Sequence, residues 1–214
     1  VNLTIESGKF IYVYGGSNVA GSTITGNVKV TVEGGTFYTS GGDGMLSGAG
    51  NAGTIDGNIE LVIKGGDFRA WNTAADNRGI FAGSAWGGSV INGNTKVTLL
   101  EIDDTNTFAS YTGNLSGKSN CSATHKAGTT ATLELDNYTA SSVNAALKDF
   151  DTISAANGTN TTLTSLGGAS TVTVDASSQL VLDNNSTKLD LKTLDIAGTA
   201  SLEGEFGVTT IKLA

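Results

Sequence analysis

The chain has no proline, one cysteine, one histidine and two arginines among its 214 residues. Without proline its turns fall to asparagine and to the 30 glycines, residues that tolerate left-handed backbone angles. The single Cys121 excludes an internal disulfide, and no CxxC or Cys/His grouping suggests zinc. His125 sits in a polar stretch with no visible triad partner. No run approaches the roughly 20 apolar residues needed to span a bilayer, so direct membrane insertion is not expected. Charged residues make up only 15%, and a net charge of -8 disfavours nucleic acid or an anionic membrane, both of which demand clustered Lys and Arg. No secretion signal is visible before Val1 opens into a strand, and the sequence reads as a segment of a longer protein.

What is present is repetition. A ten-residue phrase runs from Val1 to Phe10 (VNLTIESGKF), returns from Val28 to Phe37 (VKVTVEGGTF) and from Ile59 to Phe68 (IELVIKGGDF), and fades at Thr95. Stacked supersecondary units produce such periods. Val28, Val30 and Val32 point one way and Lys29 and Thr31 the other, which makes a strand with one buried face. Gly26-Asn27, Gly57-Asn58 and Gly93-Asn94 precede the strands and predict a fixed sharp turn. In-register stacking would place Asn27, Asn58 and Asn94 in one hydrogen-bonding column, and Phe10, Phe37 and Phe68 in one aromatic stack, about 4.8 Å per step. An outward column reading Lys29, Glu60, Lys96 alternates in sign as that register requires, while Glu6, Glu33, Lys64 does so only in part.

The expectation is an all-β, right-handed parallel β-helix (β-solenoid) of about eight coils and about 40 Å, with long coils in the N-terminal half and short ones in the C-terminal half. It would form one domain over 1–214: long-coil repeats at 1–103, an irregular segment at 104–128 that is a loop or an unregistered coil, and short-coil repeats at 129–214. Leu133, Ile153, Val172, Leu194 and Ile211 anchor the short coils. The best helical candidate is the short segment Ser142 to Phe150.

The phrase GNVKVTVEGGTF at 26–37, with LELDNY and LKDFDTI later in the chain, resembles the repeat-rich, adhesin-like β-helix proteins of bacterial surfaces, which share the pectate-lyase-type helix. The resemblance is one of repeat style over essentially the whole chain. It implies an extracellular or cell-surface location in bacteria and a role in attachment or display without catalysis, with glycans or host surface molecules as partners and no cofactor. Exposed end coils would favour self-association.

Enzymes on such a fold work through clustered carboxylates, often with calcium and a nearby base. Asp67, Asp76, Glu101, Asp103 and Asp104 are the carboxylates to consider, with Arg69 and Arg78, and their spacing matches no catalytic signature. Gly41 to Gly44 (GGDG) resembles half of a calcium-binding nonapeptide and reads as a turn. The richest segment is 67–88, which holds Trp71, Trp86, Arg69, Arg78, Asp67, Asp76 and Phe81. Aromatic faces stack on sugar rings and Arg and carboxylate groups take hydroxyls, so this loop is the alternative polysaccharide-binding or polysaccharide-degrading site; the plainer reading is padding of a long coil. Four Thr-x-Thr pairs, beginning at Thr23, Thr130, Thr162 and Thr171, raise ice binding, but their spacing does not follow the coil steps.

Overall fold

Period-two alternation of β-branched and polar residues makes strands whose apolar edge must be covered, and here each repeat covers the next. The computed structural model describes residues 1–39, 45–50, 52–70, 79–85, 87–119, 123–184 and 188–214, without the side chains of Thr39 and Ala70. The described chain is all-β apart from one 3-10 turn, Thr107–Ser110. Its longest sheet holds nine strands in chain order: Asn2–Ile5, Val28–Val32, Ile59–Ile63, Thr95–Leu100, Ala131–Asp136, Thr152–Ala156, Thr171–Val174, Leu189–Ile196 and Phe206–Leu213. Every neighbouring pair is parallel, an arrangement compatible with a parallel β-helix.

One inward column runs Leu3, Val30, Leu61, Val97, Leu133, Ile153, Val172, Leu194, Ile211, matching the sequence-derived anchors residue for residue. Subtracting consecutive numbers gives repeats of 27, 31, 36, 36, 20, 19, 22 and 17 residues. From Val30 to Leu194 these side chains are buried, whereas Ile211 on the last strand is 56% exposed. The 22-residue step contains a bulge: the N–H groups of Lys192 and Thr193 both donate to Ser170 O, at 2.8 and 3.0 Å. Two residues oppose one there, and so Leu191 and Leu194 can both face inward.

Four smaller sheets close the repeats. Lys9–Ile11, Thr36–Thr39 and Asp67–Ala70 form a three-stranded sheet; Val13–Tyr14, Leu46–Ser47, Gly79–Phe81, Asn114–Ser116 and Ala146–Lys148 form a five-stranded one. Thr23–Ile24, Thr54–Ile55, Val90–Ile91 and Thr124–His125 make a four-stranded sheet, and Asn160–Leu163, Gln179–Asp183 and Thr199–Glu203 a second three-stranded one. The long repeats thus use sheets that the short repeats abandon.

Within 104–128 the strands Asn114–Ser116 and Thr124–His125 are in register, pairing with the strands of the preceding long repeat. The first side of this stretch is the 3-10 turn rather than a strand, which erased the alternation that would have marked it. The helical candidate at Ser142 to Phe150 holds strand Ala146–Lys148 instead, paired with Asn114–Ser116.

The aromatic stack forms as expected. Phe37 lies 5.3 Å from Phe10 and 4.5 Å from Phe68, nearly parallel to the latter at 8°. Phe108, from the 3-10 turn, ends the stack edge-on to Phe68 at 5.7 Å, with Tyr111 beside it. Burial of Tyr111 raises its phenol above the ordinary value, while its hydroxyl donates to Asn114 O at 2.8 Å.

Candidate functional site

The polar turn ahead of the long sheet builds the most regular feature of the surface. Asn27 Oδ1 accepts the N–H of Asn58, Asn58 Oδ1 that of Asn94, and Asn94 Oδ1 that of Thr130, each at 2.9 Å. The sequence suggested bonds between side-chain amides; the observed ladder instead joins each side chain to the main chain of the next repeat. That geometry uses the oxygen of every amide and leaves the Nδ2 groups of Asn27, Asn58 and Asn94 without a partner among the described residues. All three residues are exposed. They line a groove of about 510 Å³ whose wall carries Lys29, Glu60 and Lys96.

The glycines of these turns have a different role from the one their sequence suggested. Gly26, Gly57 and Gly93 are not in the left-handed region. A Cβ on Gly93 would lie 2.2 Å from Gly57 O, and one on Gly57 would lie 2.5 Å from the carbonyl of Gly26. At 57 and 93 glycine is needed because the turn rests directly on the backbone of the preceding one, whereas a Cβ on Gly26 would meet nothing within 4 Å.

The charged columns follow the register. Lys29 and Glu60 pair at 2.9 Å, and Lys64 reaches Glu33 at 3.9 Å. Lys96 turns away from Glu60 to pair with Glu134 at 2.7 Å on the following strand. These are surface pairs of small energetic weight, and their use is to fix side-chain positions along the groove.

Of the residues singled out in 67–88, Asp67 and Arg69 are brought together. They stand two apart on strand Asp67–Ala70, so both face outward while Phe68 faces in. The Arg69 guanidinium donates to Asp67, and that bond together with the carboxylate charge raises the arginine above its ordinary value. Asp67 borders a cleft of about 550 Å³ shared with Lys64 and Glu33. Trp71, Asp76, Arg78 and Trp86 lie outside the described residues, as do Cys121 and Gly41 to Gly44. Phe81 is a core residue, only 2% exposed, and is unavailable for stacking on a ligand.

The other acids serve the backbone. Asp103 Oδ1 accepts the N–H and hydroxyl of Thr105 at 2.9 and 2.6 Å, and the hydroxyl bond leads in holding this carboxyl below its ordinary value. Asp104 Oδ1 accepts from the N–H and Oγ of Ser141 at 2.9 and 3.0 Å, tying two repeats together. Glu101 occupies a left-handed position, φ 57°, as a strand ends. Among the described residues no three His, Cys, Asp or Glu side chains stand close enough to hold a metal ion.

The four Thr-x-Thr pairs fall on three sheets, and the two on the longest sheet contribute Thr132 and Thr171 to a threonine column of Thr132, Thr152, Thr171, Thr193 and Thr210. The column two residues along contains Glu134, Asp195 and Lys212, charges that interrupt the flat apolar plane an ice face would need.

His125 does have a partner that the sequence did not reveal. Its Nε2 lies 2.8 Å from Ser119 Oγ. A separation of six residues, with no periodic pattern, gave no signal for this contact.

No family profile matches the chain, and no curated protein or solved structure shows significant similarity to it. Its function must therefore be inferred from its own residues.

Proposed function

We propose that the chain is a right-handed parallel β-helix module of a bacterial surface or secreted protein, acting in attachment or display, and that it holds an extended glycan along the asparagine groove. The handedness follows from the strong preference of parallel crossovers. The observation that carries the binding role is the row of Nδ2 donors on Asn27, Asn58 and Asn94 that have no partner among the described residues. Adjacent parallel strands lie about 4.8 Å apart, close to the length of one sugar in an extended chain, so successive hexoses would meet successive donors. Lys29 and Glu60 beside the row offer further bonds to hydroxyl or uronate groups. Attachment of this kind needs no bond-making chemistry.

Calorimetric titration with soluble linear polysaccharides tests the reading. The triple variant Asn27→Asp, Asn58→Asp, Asn94→Asp keeps each acceptor oxygen and removes each donor. It should stay folded and lose binding at least about tenfold, a loss of one or two hydrogen bonds' worth of affinity. Undiminished binding by the folded variant would move the site elsewhere. The second reading, a polysaccharide-active site in 67–88, is favoured by the outward Asp67 and Arg69 pair beside a cleft, and Arg69→Ala would then be the damaging change.

A further inference from the structure

The four-stranded sheet ends at Thr124–His125, because the 20-residue repeat that follows has no strand to lay on it. In the register of that sheet His125 terminates the column Ile24, Ile55, Ile91. Ile55 and Ile91 are buried, and the imidazole, half-buried, takes the last place on a shoulder where long repeats give way to short ones. Ser119, also half-buried, sits against it.

A third group leaves the serine proton available for that hydrogen bond. The N–H of Ser84 donates to Ser119 Oγ at 2.8 Å, so the serine's own proton is free to point at His125 Nε2. With Ser119 as the donor, the imidazole accepts at Nε2 and carries its proton on Nδ1. The approach is close by construction, since a Cβ on Gly83 would lie 2.3 Å from Ser119 Oγ. The charged groups around the ring are Lys118, Asp149 and Asp151, and Lys118 is itself paired to Asp151 at 3.1 Å.

We propose that Ser119 is a nucleophile with His125 as its general base, reactive toward small acyl esters such as acetyl esters that reach the shoulder. This activity is separate from the attachment role and does not rest on it. His125 Nε2 takes the Ser119 proton as Oγ forms a bond to the ester carbonyl carbon. The tetrahedral alkoxide collapses, the carbon to alkoxy-oxygen bond breaks, and the departing alcohol takes the proton from His125. Water, deprotonated by His125, then attacks the acyl carbon; the bond to Oγ breaks, Ser119 regains its proton and the acid is released. Burial first, and the charge of Lys118 next, hold the imidazole below its ordinary value, which keeps it a base near neutral pH, while Asp149 and Asp151 act the other way.

Incubating the full chain with an alkyl fluorophosphonate and mapping the adduct by mass spectrometry tests this directly. The expected result is labelling at Ser119, abolished in Ser119→Ala and slowed about a hundredfold in His125→Gln, the usual scale of general-base assistance. Gly83→Ala, which leaves Ser119 and His125 themselves unchanged, should slow it too, because its Cβ would press on Oγ and displace it. Circular dichroism confirms the fold of each variant. The labelling rate should rise with pH to a plateau, with its midpoint below that of free imidazole. p-Nitrophenyl acetate should be hydrolysed with the same profile. An unlabelled Ser119 in the parent chain, or equal labelling in folded His125→Gln, would overturn the proposal.

Discussion

Asn58 Oδ1 accepts the main-chain N–H of Asn94 at 2.9 Å, and through that bond one repeat sets the height of the next. The side chain does in the turn what strand pairing does in the sheet. Because only one end of the amide is used, the same residue can brace the stack and face a ligand.

Asn58→Ala should cost about 1 kcal/mol, since it leaves the N–H of Asn94 to water alone. Asn58→Asp, which retains an acceptor, should unfold close to the parent chain in urea. Equal losses in both variants would show that the amide nitrogen, rather than Oδ1, carries the stabilising contact.

Gly93→Ala should destabilise by about 1–3 kcal/mol, as expected for forcing a methyl group against backbone, because its Cβ would lie 2.2 Å from Gly57 O. Gly26→Ala meets nothing within 4 Å and should stay within about 1 kcal/mol of the parent. Denaturation midpoints of the two variants, measured side by side, separate close approach from turn conformation as the reason for glycine.

Phe37→Ala should cost about 3–5 kcal/mol, for its ring is fully buried between Phe10 and Phe68. Phe10→Ala, at the half-buried end of the stack, should cost less. A reversed order in equilibrium unfolding would mean that the stack does not act as a continuous core.

Acid should weaken the short repeats through Asp175. Partial burial works against its ionised form, but the N–H of Asn157 at 2.7 Å and the N–H and hydroxyl of Ser177 at 3.0 and 2.9 Å outweigh it. The folded-state value is therefore lowered. The corresponding stability is fully present above the unfolded value of about 4 and is lost as pH falls through the lower folded value. Asp175→Asn should flatten this part of the acid slope in urea titrations at graded pH. An unchanged slope would assign acid sensitivity to other carboxylates.

Much of the fold was legible because it is written locally and then repeated. Alternation over five residues gave the strands, and equivalent residues in successive copies gave the register, so the sequence alone places Phe10, Phe37 and Phe68 in one stack. The fourth repeat was legible at its start, from Asn94 and Thr95, but not from 104 onward, because its 3-10 turn at Thr107–Ser110 follows no period-two rule. Nor was the reason for glycine at 57 and 93, which lies in backbone from another repeat.

The sequence by itself determined strands, their inward faces and the order in which copies pair, because side-chain alternation and like-on-like columns are properties of a single repeat and its spacing. Tertiary structure alone decided which end of Asn58 is spent and which faces outward. It also decided that the N–H of Ser84, from one repeat, and the ring of His125 meet at Ser119 Oγ in the next. Those contacts depend on how crossovers of unequal length bring distant backbone together, and no local pattern encodes that distance.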